Sequence, residues 1–173
     1  EETRELTLSE AVKRMRGEPG TEVTIKTLRP DTREIKEITI VREEINVVSV
    51  KDAEILQDGI GYIRITQFND PTGQKLKEEI QTLVDEGMEA LVLDLRGNPG
   101  GLLTSAAEVS ELFLKRGELI VYTQGRAGEN HKQTFKASGG THWVDFPIAI
   151  LVNSGSASAS EIVAGALQDH KRA

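Results

Sequence analysis

Apolar positions change their spacing after the first 45 residues, and this change separates two differently organised parts of the chain. In the first part, apolar residues recur at helical spacing over residues 8–15, behind a capping box that begins at Thr7. Two strand-like runs follow at residues 22–28 and 34–41, joined by a Pro-Asp turn. One short helix and one hairpin are too little to bury a core, so residues 1–45 are expected either to pack on the rest of the chain or to be one half of a larger unit.

From residue 46 onward, strand-like runs alternate with amphipathic helices. Strands are predicted at residues 60–65, 90–95 and 147–152, and a hairpin is predicted from residues 119–123 and 131–135. Three helices have apolar stripes, formed by Leu76, Ile80, Leu83 and Val84, by Leu102, Ala106, Val109 and Phe113, and by Ile162, Val163, Ala166 and Leu167. The first helix is predicted to start with Asp70 as its N-cap. The alternation predicts an α/β core with mainly parallel strands, and the apolar run 90–95 predicts a strand covered on both faces.

The composition is that of a globular chain, and it excludes several classes of function. With 173 residues, of which 38% are apolar, the chain is long enough for one domain and a small appendage. A net charge of −7 and an aromatic content of 4% argue against nucleic-acid binding, which needs clustered Lys and Arg or stacking platforms. The absence of Cys excludes thiol nucleophiles and disulfide frameworks, and no His spacing suggests a metal site. No apolar run reaches the ~20 residues of a membrane-spanning helix.

Two strand-to-helix junctions carry the candidate chemistry. The first, residues 94–101, reads Asp-Leu-Arg-Gly-Asn-Pro-Gly-Gly and leads into a predicted helix. Because glycines have no side chain in the way, its backbone N–H groups can approach an anion or a developing oxyanion. The alternative is a tight turn whose glycines serve only local geometry, and this junction by itself favours that alternative.

The second junction, residues 153–161, reads Asn-Ser-Gly-Ser-Ala-Ser-Ala-Ser-Glu. Flexible linkers have a similar composition, but this segment lies between a predicted buried strand and an apolar-faced helix, where no linker is needed. Small residues permit a sharp strand–turn–helix that presents one hydroxyl to a cleft. A Ser in the first helical turn also faces the positive end of the helix dipole, which stabilises a nearby oxyanion by about 0.5–2 kcal/mol.

A nucleophilic Ser needs a general base, and the sequence offers no convincing one. His131, His142 and His170 are each expected to have surface or supporting roles. Lys171 follows Ser158 at a distance that corresponds to ~20 Å along a continuous helix, which is beyond hydrogen-bond reach. The residues therefore predict a nucleophile and an oxyanion-binding bend without a base.

Together, the two junctions resemble the C-terminal processing peptidases, also called tail-specific proteases. The segment 94–101 is close to one motif of that family, and the Ser-Ala-Ser-Ala-Ser-Glu-Ile segment 156–162, preceded by Asn153, is close to another. The Gly-Tyr-Ile-Arg-Ile run at residues 61–65 matches the strand that opens the protease core. Residues 7–29 resemble the closing helix and hairpin of the PDZ domain that these enzymes carry, so the resemblance covers essentially the whole chain.

The resemblance implies a role for each candidate residue. Ser158 is the implied nucleophile, and the implied oxyanion donors are the N–H of Ala159 and one N–H of the turn formed by Gly100 and Gly101. Three further residues are implied to support the site: Asp94, Arg96 and Asn153. The family's general base is a Lys in a Gly-Lys-Gly context a couple of dozen residues after the Ser, and this chain ends at Ala173 before such a context. The chain is therefore interpreted as a protease fragment that is catalytically incomplete by itself.

The resemblance also implies a fold, partners and a location. Residues 46–173 are expected to be the N-terminal part of a crotonase/ClpP-like α/β protease core, and residues 1–45 the C-terminal part of a PDZ-like domain. The expected partners are peptide or protein C-terminal tails, without cofactor, metal or nucleic acid, in the periplasm or cell envelope. One alternative is a non-catalytic ligand-binding relative of the same fold, which would need a large apolar pocket. The other is a crotonase-like acyl-CoA enzyme, which leaves the PDZ-like N-terminus unexplained.

Overall fold

The structure, a computed structural model, describes residues 6–43, 47–125, 132–140, 143 and 145–173. The chain divides into two compact units, Glu1–Val47 and Val48–Ala173. The predicted domain boundary, between residues 45 and 46, falls two residues before this division. Each unit is described by itself.

The first unit consists of one helix and one antiparallel hairpin. Helix α1 (Leu8–Met15) has the predicted capping box, in which the Thr7 N–H donates to the Glu10 carboxylate at 2.9 Å. Strands β1 (Glu22–Leu28) and β2 (Ile35–Val41) pair along their whole length. Among the described residues, none of the buried core lies in this unit, which agrees with the expectation that it cannot bury a core alone.

The second unit is built around a four-stranded sheet, as the predicted α/β class requires. Its strands are β3 (Val50–Ile55), β4 (Ile60–Ile65), β5 (Ala90–Asp94) and β8 (Ile148–Leu151), in the order β3-β4-β5-β8. β3 is antiparallel to β4, whereas β4, β5 and β8 are parallel. The helices are α2 (Thr72–Asp85), α3 (Leu103–Glu111) and α4 (Ala159–Asp169), and β6 (Leu119–Thr123) and β7 (Gln133–Lys136) form a separate hairpin. The first residues of α3 and α4 therefore follow the carboxyl ends of β5 and β8, where sites form in parallel sheets.

The core is formed by alternate side chains of the strands and by the apolar stripes of the helices. Ile63 of β4 and Leu93 of β5 are fully buried in one cluster with Leu76 of α2. The neighbouring positions on the other face, Tyr62 and Val92, are only half-buried. The prediction that strand 90–95 is covered on both faces is therefore not met, because an apolar run does not distinguish a buried face from a half-buried one.

Two elements differ from the sequence predictions. β3 was not predicted, because its alternation is interrupted by an irregular register between Lys51 and Glu54 and half of its side chains are exposed. α2 starts at Thr72 with Pro71 as its N-cap, so the prediction of Asp70 as the N-cap is wrong. The Thr72 N–H donates to the carbonyl of Asn69, and this turn shifts the first helical residue along the chain.

Candidate active site

Ser158 lies at the entrance of α4 in a conformation that is unusual for a residue with a side chain. It is the N-cap of the helix, with φ 54° and ψ −113°, and it is exposed. Residues other than glycine rarely adopt a positive φ, and where they do, the surrounding structure must hold them there. The strand–turn–helix of small residues therefore places Ser158 at the solvent-exposed entrance of α4.

The glycine bend, residues 97–101 of the first junction, lies directly against Ser158. Gly100 has φ +101°, and a methyl group built on it would lie 2.8 Å from Cβ of Ser158 and 2.9 Å from the backbone N of Ala159. The same methyl group would lie 2.7 Å from the carbonyl oxygen of Ala157. The two junctions singled out in the sequence thus meet at one place, and only glycine fits between them.

Two backbone N–H groups at this place are free to receive negative charge. Within the described ranges, neither the N–H of Ala159 nor that of Gly101 has a hydrogen-bond acceptor. The N–H of Gly100 is engaged, because it donates to Oδ1 of Asn98 at 2.9 Å. A free N–H is expected for Ala159, since the first N–H groups of a helix have no partner within it and carry the positive end of the dipole.

Asn98 was not among the predicted site residues, although it joins the parts of the site. Its side chain is 0% exposed, and its Nδ2 donates to the carbonyl of Ile65 at the end of β4 at 2.9 Å. Its own carbonyl accepts from the Ala157 N–H at 3.1 Å and from the Ser160 hydroxyl at 2.9 Å. Asn98 thus connects β4, the glycine bend and the Ser158 turn. The sequence signal was an amide between Gly97 and Pro99, which many ordinary turns also contain.

Asn153, a predicted supporting residue, also connects the two junctions. Its Oδ1 accepts from the Gly97 N–H at 2.8 Å and from the Gly155 N–H at 3.0 Å. The neighbouring Ser156 hydroxyl donates to the carbonyl of Leu95 at 2.8 Å. These bonds hold the two loops together through side chains of the Ser158 turn.

Asp94 and Arg96, the other two predicted supporting residues, form a charge-assisted cluster with Tyr62 around the buried Asp94 carboxylate. Asp94 is 1% exposed, and its carboxylate accepts from Nη2 of Arg96 at 2.7 Å and from the Tyr62 hydroxyl at 2.7 Å. The Arg96 guanidinium, helped by the Tyr62 hydroxyl, holds the pKa of the Asp94 carboxyl well below its usual range. The same carboxylate raises the pKa of Tyr62 by accepting its proton in a hydrogen bond. The cluster fixes the chain between β5 and the glycine bend.

Asp94→Asn is expected to lower the free energy of unfolding by about 1–3 kcal/mol at pH 7, since hydrogen bonds to a charged group are lost. A carboxyl whose pKa is depressed by folding stabilises the native state above its unfolded pKa of about 3.9. That contribution is lost as the pH falls towards the folded pKa, so the difference between wild type and variant is expected to shrink below about pH 4. Urea unfolding of both proteins between pH 7 and pH 3 measures this, and a difference that does not change with pH contradicts it.

Of the general bases considered, the two within the described residues, His170 and Lys171, do not contact Ser158. The Glu161 carboxylate accepts from the Ser158 N–H at 2.7 Å, and Nε2 of His170 lies 2.8 Å from the carbonyl oxygen of Leu119. α4 is unbroken up to Asp169, so Lys171 stays ~20 Å from Ser158 along the helix axis. The other two histidines considered, His131 and His142, lie outside the described residues.

Among the residues that the structure describes, no group of three or more His, Asp or Glu is arranged to hold a metal ion. In the same part of the chain, no helix has the length and apolar character that crossing a bilayer requires.

Comparison with known proteins gives consistent matches. The model of peptidase family S41 matches residues 59–173. The chain is 46% identical over 171 residues to a carboxy-terminal-processing protease of Bartonella bacilliformis, covering 96% of this chain and 38% of that protein. It is 39% identical over 177 residues to a carboxyl-terminal-processing protease of Synechocystis, covering 99% of this chain and 40% of that protein.

A solved structure gives the same result at the level of the fold. The photosystem II D1 C-terminal processing protease superposes with a TM-score of 0.61 at 27% identity, over 90% of this chain and 43% of that chain. The chain thus spans about 40% of the length of the Bartonella bacilliformis and Synechocystis relatives.

Proposed function

The chain belongs to peptidase family S41, and on that premise we propose that it forms part of a serine endopeptidase that cleaves proteins near their C-termini through Ser158. The observation that carries this proposal is the approach of Gly100 to Ser158 and Ala159 at the entrance of α4. A hydroxyl held beside free N–H donors is the arrangement that acyl transfer requires.

In the proposed reaction, the Ser158 oxygen attacks the carbonyl carbon of the scissile peptide bond and its proton passes to a general base. The carbonyl electron pair moves onto oxygen, where the Ala159 N–H and one N–H of the glycine bend stabilise the charge. Collapse of this intermediate expels the amine, which takes the proton from the base, and water then hydrolyses the acyl-enzyme. Removal of one such donor costs about 2.7–4 kcal/mol in other serine proteases.

The contacts favour Gly101 over Gly100 as the second donor. The Gly100 N–H already donates to Asn98, whereas the Gly101 N–H has no acceptor within the described residues. In this assignment Gly100 is needed for the space that it leaves in front of Ala159, and Gly101 for its N–H. Asn98, Asn153 and the Asp94–Arg96 pair keep the two loops in place.

The general base is proposed to be a Lys outside these 173 residues, in a Ser/Lys dyad. Burial lowers the pKa of a Lys until the neutral amine can accept a proton. Neither His170 nor Lys171 reaches Ser158, which supports a base from elsewhere in the protein. The 173-residue chain by itself is therefore expected to be catalytically incomplete.

The proposed substrates are protein C-terminal tails, bound by a PDZ-like domain to which residues 1–45 contribute, in an extracytoplasmic compartment. The proposed acyl transfer uses protein groups alone, without cofactor or metal. The alternatives, a non-catalytic ligand-binding relative and a crotonase-like acyl-CoA enzyme, receive no support from the relatives, which are named as processing proteases.

Tail specificity can be tested with the full-length protein and two peptides that differ only at their C-terminus. The peptide with a free carboxylate is expected to be cleaved with a kcat/KM about tenfold or more above that of its C-terminal amide, because capture of the carboxylate by backbone N–H groups is lost. Mass spectrometry of the products gives both the rate and the position of the cut. Equal rates for the two peptides would contradict tail recognition while leaving the protease activity intact.

A further inference from the structure

The buried hydroxyls of Ser49 and Thr72 form a hydrogen-bonded group with the half-buried Asn69, next to Phe68 in the chain. Thr72, the first residue of α2, is 0% exposed, and its hydroxyl lies 2.8 Å from the Ser49 oxygen and 2.7 Å from Oδ1 of Asn69. The Asn69 N–H donates to the same hydroxyl at 2.9 Å. A hydroxyl has one hydrogen and two lone pairs, so donation to Asn69 and acceptance from Asn69 and Ser49 use its full capacity.

These bonds hold both ends of the segment that connects β4 with α2. The Thr66 N–H donates to the carbonyl of Ser49 at 2.8 Å, and Thr72 contacts the hydroxyl of the same Ser49. Between the two ends lies Phe68, whose side chain is buried in the core. The main chain around Phe68 is therefore held by Ser49 on one side and by the Thr72–Asn69 pair on the other.

The Phe68 main chain in turn holds the glycine bend. The Phe68 N–H donates to the carbonyl of Gly100 at 2.9 Å, and its carbonyl accepts from the Leu102 N–H at 2.9 Å. A methyl group on Gly101 would overlap the carbonyl oxygen of Phe68, so the two backbones are in direct contact. Any shift of Phe68 must therefore move Gly101 and its free N–H.

We propose that the Thr72 hydroxyl is a positioning group for the oxyanion donors, acting through Asn69 and the Phe68 main chain. This inference rests on the proposed protease function. Thr72 itself does not face Ser158 in any described contact, so its effect is on the geometry of the bend and not on the chemistry of a reacting atom. Because oxyanion donors act only when they are aimed at the developing charge, a small displacement has a large effect on the transition state.

Thr72→Val in the full-length protein is the test, since valine matches the shape of threonine but removes the three hydrogen bonds. The kcat for a tail peptide is expected to fall about 10- to 100-fold, with KM within about twofold of the wild type. Thr72→Ser, which keeps the hydroxyl, is expected to restore most of the lost activity. Ser49→Ala, which removes one of the three bonds, is expected to lower kcat by about two- to tenfold.

A readout specific to the oxyanion hole separates positioning from general destabilisation. A peptide aldehyde adds to the Ser158 oxygen and places an oxyanion in the hole, so its inhibition constant is expected to weaken in Thr72→Val by the same factor as kcat falls. Ser110→Ala is the matched control, because it removes another fully buried hydroxyl, which donates to the Ala106 carbonyl within α3. It is expected to lower Tm without changing kcat or aldehyde inhibition.

The outcomes are distinct. Wild-type kcat and aldehyde inhibition in folded Thr72→Val overturn the positioning role, and so does an equal loss of activity in Thr72→Val and Thr72→Ser. If Thr72→Val does not fold, an unchanged kcat in Ser49→Ala overturns it. Wild-type protein whose turnover does not depend on Ser158 overturns the protease proposal itself, and the positioning role with it.

Discussion

Replacing Ser158 by Ala in the full-length protein is expected to lower kcat for tail-peptide hydrolysis by about 10⁴-fold or more, because the variant has no oxygen with which to form the acyl-enzyme. Ser158 lies at the entrance of α4 with φ 54°, and its Cβ is next to Gly100. Peptide binding is expected to persist, since the bend and the helix are unchanged. Single-turnover kinetics and labelling by a fluorophosphonate, read by mass spectrometry of the tryptic peptides, measure the loss.

Ser154→Ala is the matched control for this prediction. Ser154 is an exposed serine in the same junction and makes no described hydrogen bond, so its replacement is expected to leave turnover and labelling unchanged. Labelling that persists in Ser158→Ala, or that maps to another serine of the junction, would show that Ser158 is not the nucleophile.

Gly100→Ala is expected to lower kcat by about 10²–10³-fold, the size of the loss when one oxyanion donor is removed. The added methyl group would lie 2.7–2.9 Å from the Ala157 oxygen, Cβ of Ser158 and the Ala159 nitrogen. Backbone atoms cannot give way as a flexible side chain can, and φ +101° is strained for alanine. The bend must therefore move, which displaces Gly101 and blocks the approach to the Ala159 N–H.

Gly165→Ala is the control for the effect of replacing a glycine by alanine as such. Gly165 lies inside α4, and a methyl group there would meet nothing within 4 Å. This variant is expected to keep wild-type kcat and to gain about 0.5–1 kcal/mol of stability from the higher helix propensity of alanine. Circular dichroism and thermal unfolding of both variants distinguish a displaced bend from an unfolded protein. A folded Gly100→Ala protein with wild-type kcat would contradict the proposed geometry of the oxyanion hole.

Much of the fold follows from local patterns. The capping box at Thr7, the apolar stripe through Leu76 and Ile80 and the apolar run of β5 each use signals that operate within one element, and each element is present. β3 has no such signal, because an edge strand with half of its side chains exposed is stabilised by pairing with β4 and not by its own pattern. α2 starts at Thr72 because Thr72 forms hydrogen bonds with Asn69. These bonds take the place of the N-cap that was expected at Asp70.

The sequence by itself determined the α/β class, the family and the two junctions at which the chemistry is proposed, because glycine and serine at strand-to-helix turns are local features. Only the tertiary structure decided that the junctions meet, since Gly100 and Ser158 are brought together by the parallel pairing of β5 with β8. The links through Asn98 and Thr72 also depend on the tertiary structure, because their partners are distant in the chain or in another element. Hydrogen bonds of this kind produce no periodic pattern in a sequence, because only tertiary packing places their donors opposite their acceptors.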